Sequence, residues 1–131
     1  MTAASSSVTF TGVIPPVATP LLPDGTIDHV SLERLVERLI AEGVSGLFAL
    51  GSTGETAYFT DDQRVELLTT IVRVNAGRVP IIAGAIELTA PRIIETARRL
   101  VAAGAQAIVT TAPLYTCLLY TSPSPRDRQK S

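Results

Sequence analysis

The stretch Gly51-Ser-Thr-Gly-Glu55 sets two hydroxyl side chains between two glycines. Glycine reaches positive φ without a Cβ penalty, so successive backbone N–H groups there can converge into an anion-binding concavity. Ser52 and Thr53 would add hydroxyl donors, and the whole could hold a small carboxylate or phosphate without a cationic side chain. The same residues also suit a tight turn whose hydroxyls cap local backbone. A phosphate-binding P-loop is excluded, because its Gly-Lys-Ser/Thr ending is missing. Tyr115 offers a phenol that can pass a proton or simply cover the mouth of a site. Glu55 and Glu87 could be paired carboxylates or loop-stabilising acceptors. His29 reads as solvated at a helix start, and Tyr58 and Phe59 as packing beneath the glycine loop.

Residue counts remove whole classes of chemistry. One histidine, His29, excludes a His-based triad or a two-histidine metal site within one chain. One cysteine, Cys117, excludes an intramolecular disulfide and every multi-cysteine zinc site. No metal site is expected. There is also a single lysine, Lys130, second from the last residue.

The elements that must position these groups show in two alternating periodicities. Short apolar runs, Val13 to Ala18, Gly46 to Leu50, Pro80 to Ala83 and Ala107 to Thr111, do not alternate with polar residues. That pattern suits parallel strands buried on both faces. Proline cannot donate to a ladder, so Pro15-Pro16 weakens the first run as a strand.

Between the runs lie three amphipathic helices. The first has Asp28 as N-cap, an apolar stripe of Leu32, Leu35, Val36, Leu39 and Ile40, and Gly43 as its stop. The second opens on the capping box Thr60-Asp-Asp-Gln63, carries Val65, Leu68, Ile71 and Val72, and ends near Gly77. The third starts at Thr89 with Pro91 in its first turn, runs through Ile93, Ile94, Ala97, Leu100 and Val101, and stops at Gly104. Strand–helix repeats of this length are βαβ units, giving part of a doubly wound sheet or half of a (βα)8 barrel. In either, ligands sit at the C-terminal ends of the strands, where Thr19-Pro20, the glycine loop, Gly84-Ala-Ile-Glu87 and Thr111-Ala-Pro-Leu-Tyr115 lie.

The chain has 131 residues, 46% of them hydrophobic and 18% charged, with a formal net charge of -1. That suits one globular domain and argues against a nucleic-acid partner. No apolar run approaches the roughly 20 residues of a membrane helix, and the N-terminus lacks a signal-peptide pattern. Cytoplasmic residence is the expectation. Residues 1–11 read as a disordered leader. The tail from Cys117 to Ser131 has neither period, and Cys117-Leu-Leu-Tyr-Thr-Ser-Pro-Ser-Pro-Arg-Asp127 looks like a transposase sequencing adapter translated in one frame. It is set aside as non-native, leaving 12–116 as the folded part.

Taken in order and spacing, Val17-Ala-Thr-Pro20, Gly46 to Glu55, Val79 to Gly84 and Ala107 to Tyr115 resemble the dihydrodipicolinate synthase / N-acetylneuraminate lyase family of class I aldolases. The resemblance implies the N-terminal half of a (βα)8 TIM barrel, about four parallel strands and three helices. It also implies a parent homotetramer forming a Schiff base between a lysine and pyruvate or another 2-oxo acid, with no cofactor. By the same resemblance Ser52 and Thr53 hold the substrate carboxylate, while Ser52 and Tyr115 join a proton relay reaching a neighbouring subunit. A preorganised donor of this kind is worth on the order of 3 kcal/mol in the barrier.

The departures from the family are as informative. The strand-five tyrosine and strand-six Schiff-base lysine have no counterpart, and nothing around Lys130 would desolvate it to lower its pKa. Leu114 stands where the synthase branch often has an aromatic residue, and Ser52 is shared with the lyase branch. The expectation is a catalytically silent fragment of an enzyme joining pyruvate to aspartate semialdehyde. N-acetylneuraminate lyase and 2-keto-3-deoxy sugar acid aldolase are the alternatives within the family. A non-catalytic carboxylate-binding half-barrel is the alternative outside enzymes, and a flavodoxin-like sheet lacks its phosphate loop after the first strand. Open strand edges and an uncovered inner face would make such a fragment aggregation-prone.

Overall fold

The computed structural model describes residues 9–112. Most of the expected disordered leader, Tyr115, and the adapter-like tail with Cys117 and Lys130 lie outside the described residues; positions 9–11 of the leader are irregular.

Three helices form where local signals place them. Helix α1 spans His29–Ala41, with the Asp28 carboxylate accepting from the Ser31 N–H at 3.0 Å and its hydroxyl at 2.6 Å. Helix α2, Asp61–Asn75, opens on a complete capping box: Gln63 N–H donates to Thr60 Oγ1 at 3.3 Å, and Thr60 N–H to Gln63 Oε1 at 2.9 Å. Helix α3, Ala90–Ala102, has Thr89 at its N-cap without a side-chain capping bond. The three stops follow from left-handed residues, Gly43 (φ 82°), Ala76 with Gly77 (φ 47° and 74°) and Gly104 (φ 113°).

The sheet holds strands β1 (Leu47–Ala49), β2 (Ile81–Gly84) and β3 (Ala107–Val109), parallel and in that order. Leu47 pairs with Ile81 and Ala49 with Ala83, while Ile82 pairs with Ala107 and Gly84 with Val109. The first expected strand, Val13 to Ala18, is reduced to a single parallel bridge between Pro16 and Phe48. Backbone bonds still tie this segment to β1: Ser45 N–H to Val13 O (2.8 Å), Phe48 N–H to Pro15 O (3.0 Å) and Val17 N–H to Phe48 O (2.8 Å). Pro15, whose carbonyl faces β1, has no N–H to complete the ladder. Pro16, one residue on, directs its missing donor to the outer edge, the position a sheet tolerates.

Burial corrects the expectation of strands covered on both faces. Leu47, Ala49, Ile81 and Ala83 are fully buried against Leu32 and Val36 of α1, Leu67, Leu68 and Ile71 of α2, and Leu100 of α3. The alternate residues Phe48 and Ile82 point to the opposite face and are half-buried. Each large aliphatic side chain in this core contributes about 1.5–3 kcal/mol of burial. Two members of the expected α3 stripe, Ile94 and Val101, are instead 51% and 54% exposed. Among the described residues no helix is long and apolar enough to cross a membrane.

Candidate functional site

The glycine loop leaves the C-terminal end of β1, flanked by β2 on one side and the 13–19 segment on the other. It is a run of tight turns: Gly54 N–H donates to Gly51 O (3.1 Å), Glu55 N–H to Ser52 O (3.0 Å), and Tyr58 N–H to Glu55 O (2.9 Å). A short 3-10 turn, Thr56–Tyr58, then leads into α2.

The glycines serve a different purpose from the one their conformational freedom suggests. Positive φ falls on Leu50 (58°) and Glu55 (55°), the residues on either side of Gly51 to Gly54. Left-handed backbone at a non-glycine costs roughly 1–2 kcal/mol and persists only where surrounding contacts enforce it. Gly51 and Gly54 are required by close approach. A Cβ on Gly51 would lie 2.9 Å from the Phe48 ring, and one on Gly54 would lie 3.0 Å from the Val17 carbonyl oxygen.

Two side chains pin the loop's carbonyls from opposite directions. Thr19, buried at the end of the Pro15–Pro16 segment, donates its hydroxyl to Gly54 O at 2.8 Å. Arg64, buried on α2, donates Nε–H to Thr56 O at 3.0 Å. The loop is thereby held at two points, Gly54 and Thr56, directly after the exposed pair Ser52 and Thr53. Among the described residues, neither their amides nor their hydroxyls take a hydrogen-bond partner. Two adjacent N–H groups and two hydroxyls are thus unpaired among the described residues. Ser52, but not Thr53, lines an open depression of about 300 Å³ together with Glu55, Thr56, Ala57, Tyr58 and Ile86.

Glu55 and Glu87 are not a working pair. Glu87 bonds to Arg64, accepts from Thr96 Oγ1 at 3.0 Å and lies 3.7 Å from Arg92. Asp61 extends this network, 3.6 Å from Arg64 and 3.0 Å from Arg92. The hydrogen bond with Asp61 raises the Arg92 guanidinium pKa above its ordinary value, and Glu87 adds to the effect. Glu87 is thus an acceptor stabilising its loop. His29 is also tied down, its ring nitrogens 3.1 Å from Thr70 Oγ1 and 2.9 Å from Glu66 Oε1. Of the two aromatic residues expected to pack, Phe59 is buried in the core, whereas Tyr58 turns outward and is 80% exposed. Arg64 was absent from the residues singled out by sequence. Its only local signal is a cation near a helix start, where cations are disfavoured by the helix dipole.

Comparison with known proteins gives this arrangement its context. The profile of the Dihydrodipicolinate synthetase family matches residues 9–120.

The chain belongs to that family.

The 4-hydroxy-tetrahydrodipicolinate synthase of Xanthomonas axonopodis pv. citri is 44% identical over 108 residues, covering 81% of this chain and 35% of the relative. A chloride-inhibited dihydrodipicolinate synthase from Acinetobacter baumannii, solved with pyruvate, superimposes with a TM-score of 0.80 at 36% identity, covering 82% of this chain and 37% of that one. YagE, a prophage protein of the same family from E. coli K12 also solved with pyruvate, gives 0.78 at 36% identity, with 82% and 36% covered. The chain spans little more than a third of the length of the curated relatives it matches. Its fold is the N-terminal portion of the family's (βα)8 barrel, with the glycine loop at the carboxyl end of β1.

Proposed function

We propose that this chain carries the carboxylate cradle of a Schiff-base aldolase acting on pyruvate or a close 2-oxo acid. The observation that carries this reading is the pair Ser52 and Thr53, whose amides and hydroxyls take no partner among the described residues, on a loop clamped at Gly54 and Thr56. Such a fixed set of donors orients a keto acid by its carboxylate, so that its carbonyl presents one face to an attacking amine. The hydroxyl of Ser52 would also pass protons, with Tyr115 as its relay partner.

Within the family we favour the synthase reaction, joining pyruvate to aspartate semialdehyde in lysine biosynthesis, because the curated relatives carry that name. N-acetylneuraminate lyase or a 2-keto-3-deoxy sugar acid aldolase is the second reading, motivated by Ser52 and Leu114. The covalent amine would not come from this chain, whose one lysine, Lys130, stands in a stretch without strand pattern. The parent enzyme would need no cofactor, assemble as a homotetramer and work in the cytoplasm.

Two measurements test the reading. Titrating the chain with pyruvate should shift the Ser52 and Thr53 amide resonances, with Ser52→Ala and Thr53→Ala each weakening binding about five- to tenfold. Borohydride added with pyruvate should leave the protein's mass unchanged. A stoichiometric adduct would refute catalytic silence, and unmoved amides would refute the cradle.

A further inference from the structure

We propose that Arg64 is a positioning residue for the 52–55 loop, acting through the Thr56 carbonyl. The inference deepens the carboxylate-cradle reading and rests on it for its functional meaning. Three observations carry it.

Arg64 is only 8% exposed, although α2 lies at the surface and its other arginine, Arg73, is exposed. A guanidinium held out of water needs compensation at each of its donors. Here the compensation divides. The terminal nitrogen Nη1 is engaged by Glu87 and lies 3.6 Å from Asp61, whereas Nε is spent on Thr56 O at 3.0 Å. The acidic partners fix where the head group sits, and the geometry of the planar fork then fixes the carbonyl.

Thr56 is the first residue after Glu55, whose left-handed φ of 55° closes the loop. Left-handed backbone at glutamate relaxes unless something holds the peptide beyond it. Thr56 Oγ1 is buried without a partner, so the side chain itself supplies no anchor. The main-chain bond from Arg64 is the anchor. Thr19 does the same at Gly54 O from the other side of the loop.

The chain of contacts therefore runs from the β2–α3 loop, through Glu87 and Arg64, to Thr56 and the loop that carries Ser52 and Thr53. Thr96 of α3 steadies Glu87 from behind at 3.0 Å. A lysine at position 64 could keep the ion pair with Glu87 but has no second nitrogen for Thr56 O. Positioning is thus separable from the ion pair that stabilises the fold.

Amide hydrogen exchange on the free chain tests this. In Arg64→Lys the Gly54 and Glu55 amides, both bonded inside the loop, should lose protection about tenfold, with Leu68 and Ile71 in the core within about twofold of wild type. Glu87→Gln, whose amide oxygen can still accept from Nη1 while Asp61 stays in place, keeps the head group seated and the Nε bond made, and should keep the loop protected. Wild-type protection of the loop in Arg64→Lys would overturn the inference. So would an equal loss in loop and core, or a loop loosened as much by Glu87→Gln. A parallel pyruvate titration should show about tenfold weaker binding in Arg64→Lys. If pyruvate moves no amide in the wild type, the cradle reading fails, while the exchange comparison still decides the role of Arg64.

Discussion

Gly84, the last residue of β2, lies so close to Leu50 that a Cβ built on it would sit 2.2 Å from the Leu50 carbonyl oxygen. Leu50 is itself left-handed and fully buried at the point where β1 becomes the loop. The two main chains thus meet with no room for a side chain, and that contact sets where the loop departs from the sheet. Gly84→Ala forces backbone to move, so the expected cost is about 3 kcal/mol, the upper end of overpacking. Urea unfolding of the variant measures it. A loss below about 1 kcal/mol would mean that the approach relaxes freely.

Thr19→Val keeps shape and volume but removes the hydroxyl that bonds Gly54 O at 2.8 Å. A buried carbonyl left without its donor costs about 1–3 kcal/mol. The same denaturation experiment reads this loss. Exchange of the Glu55 amide should accelerate with it, because the Gly54 carbonyl belongs to the peptide carrying that N–H.

Two threonines at helix starts should respond differently to the same substitution. Thr60 accepts from Gln63 N–H and closes a capping box, whereas Thr89 makes no side-chain capping bond. Thr60→Ala should therefore destabilise by about 1 kcal/mol, and Thr89→Ala by no more than about 0.5 kcal/mol. Equal thermal shifts for the two variants would contradict the distinction.

Acid sensitivity has a defined origin at Asp28. The Ser31 hydroxyl and amide hold its carboxyl below the ordinary value of 3.8. A carboxyl lowered on folding contributes stability above its unfolded pKa and loses it as pH falls through the folded one. The α1 cap is thus intact from neutral pH down to about the ordinary carboxylate value, and fails below it. Asp28→Asn, still a capping residue, should lessen the loss of helical circular dichroism between about pH 4 and pH 2. Asp24, held low by Thr26, and Glu37, held low by Arg78, would leave part of that acid limb in place.

What the sequence by itself determined was written in short-range chemistry. Asp28 with Ser31, Thr60 with Gln63, and the glycines after each helix act within a turn or two of backbone. Helix starts and stops, the order of strands and the loop with Ser52 and Thr53 could therefore be read directly. Tertiary structure decided whatever depends on a neighbour far along the chain. Gly51 and Gly54 are small because Phe48 and Val17 press on them, while the positive φ fell to Leu50 and Glu55. Pro15 left the first run as a single bridge only once it faced β1. Arg64, locally an unremarkable cation, became the loop's anchor when folding brought Glu87, distant in sequence, against it in a poorly hydrated corner. Local periodicity carries no record of such contacts, because their strength comes from burial and charge compensation that exist only after the elements have packed.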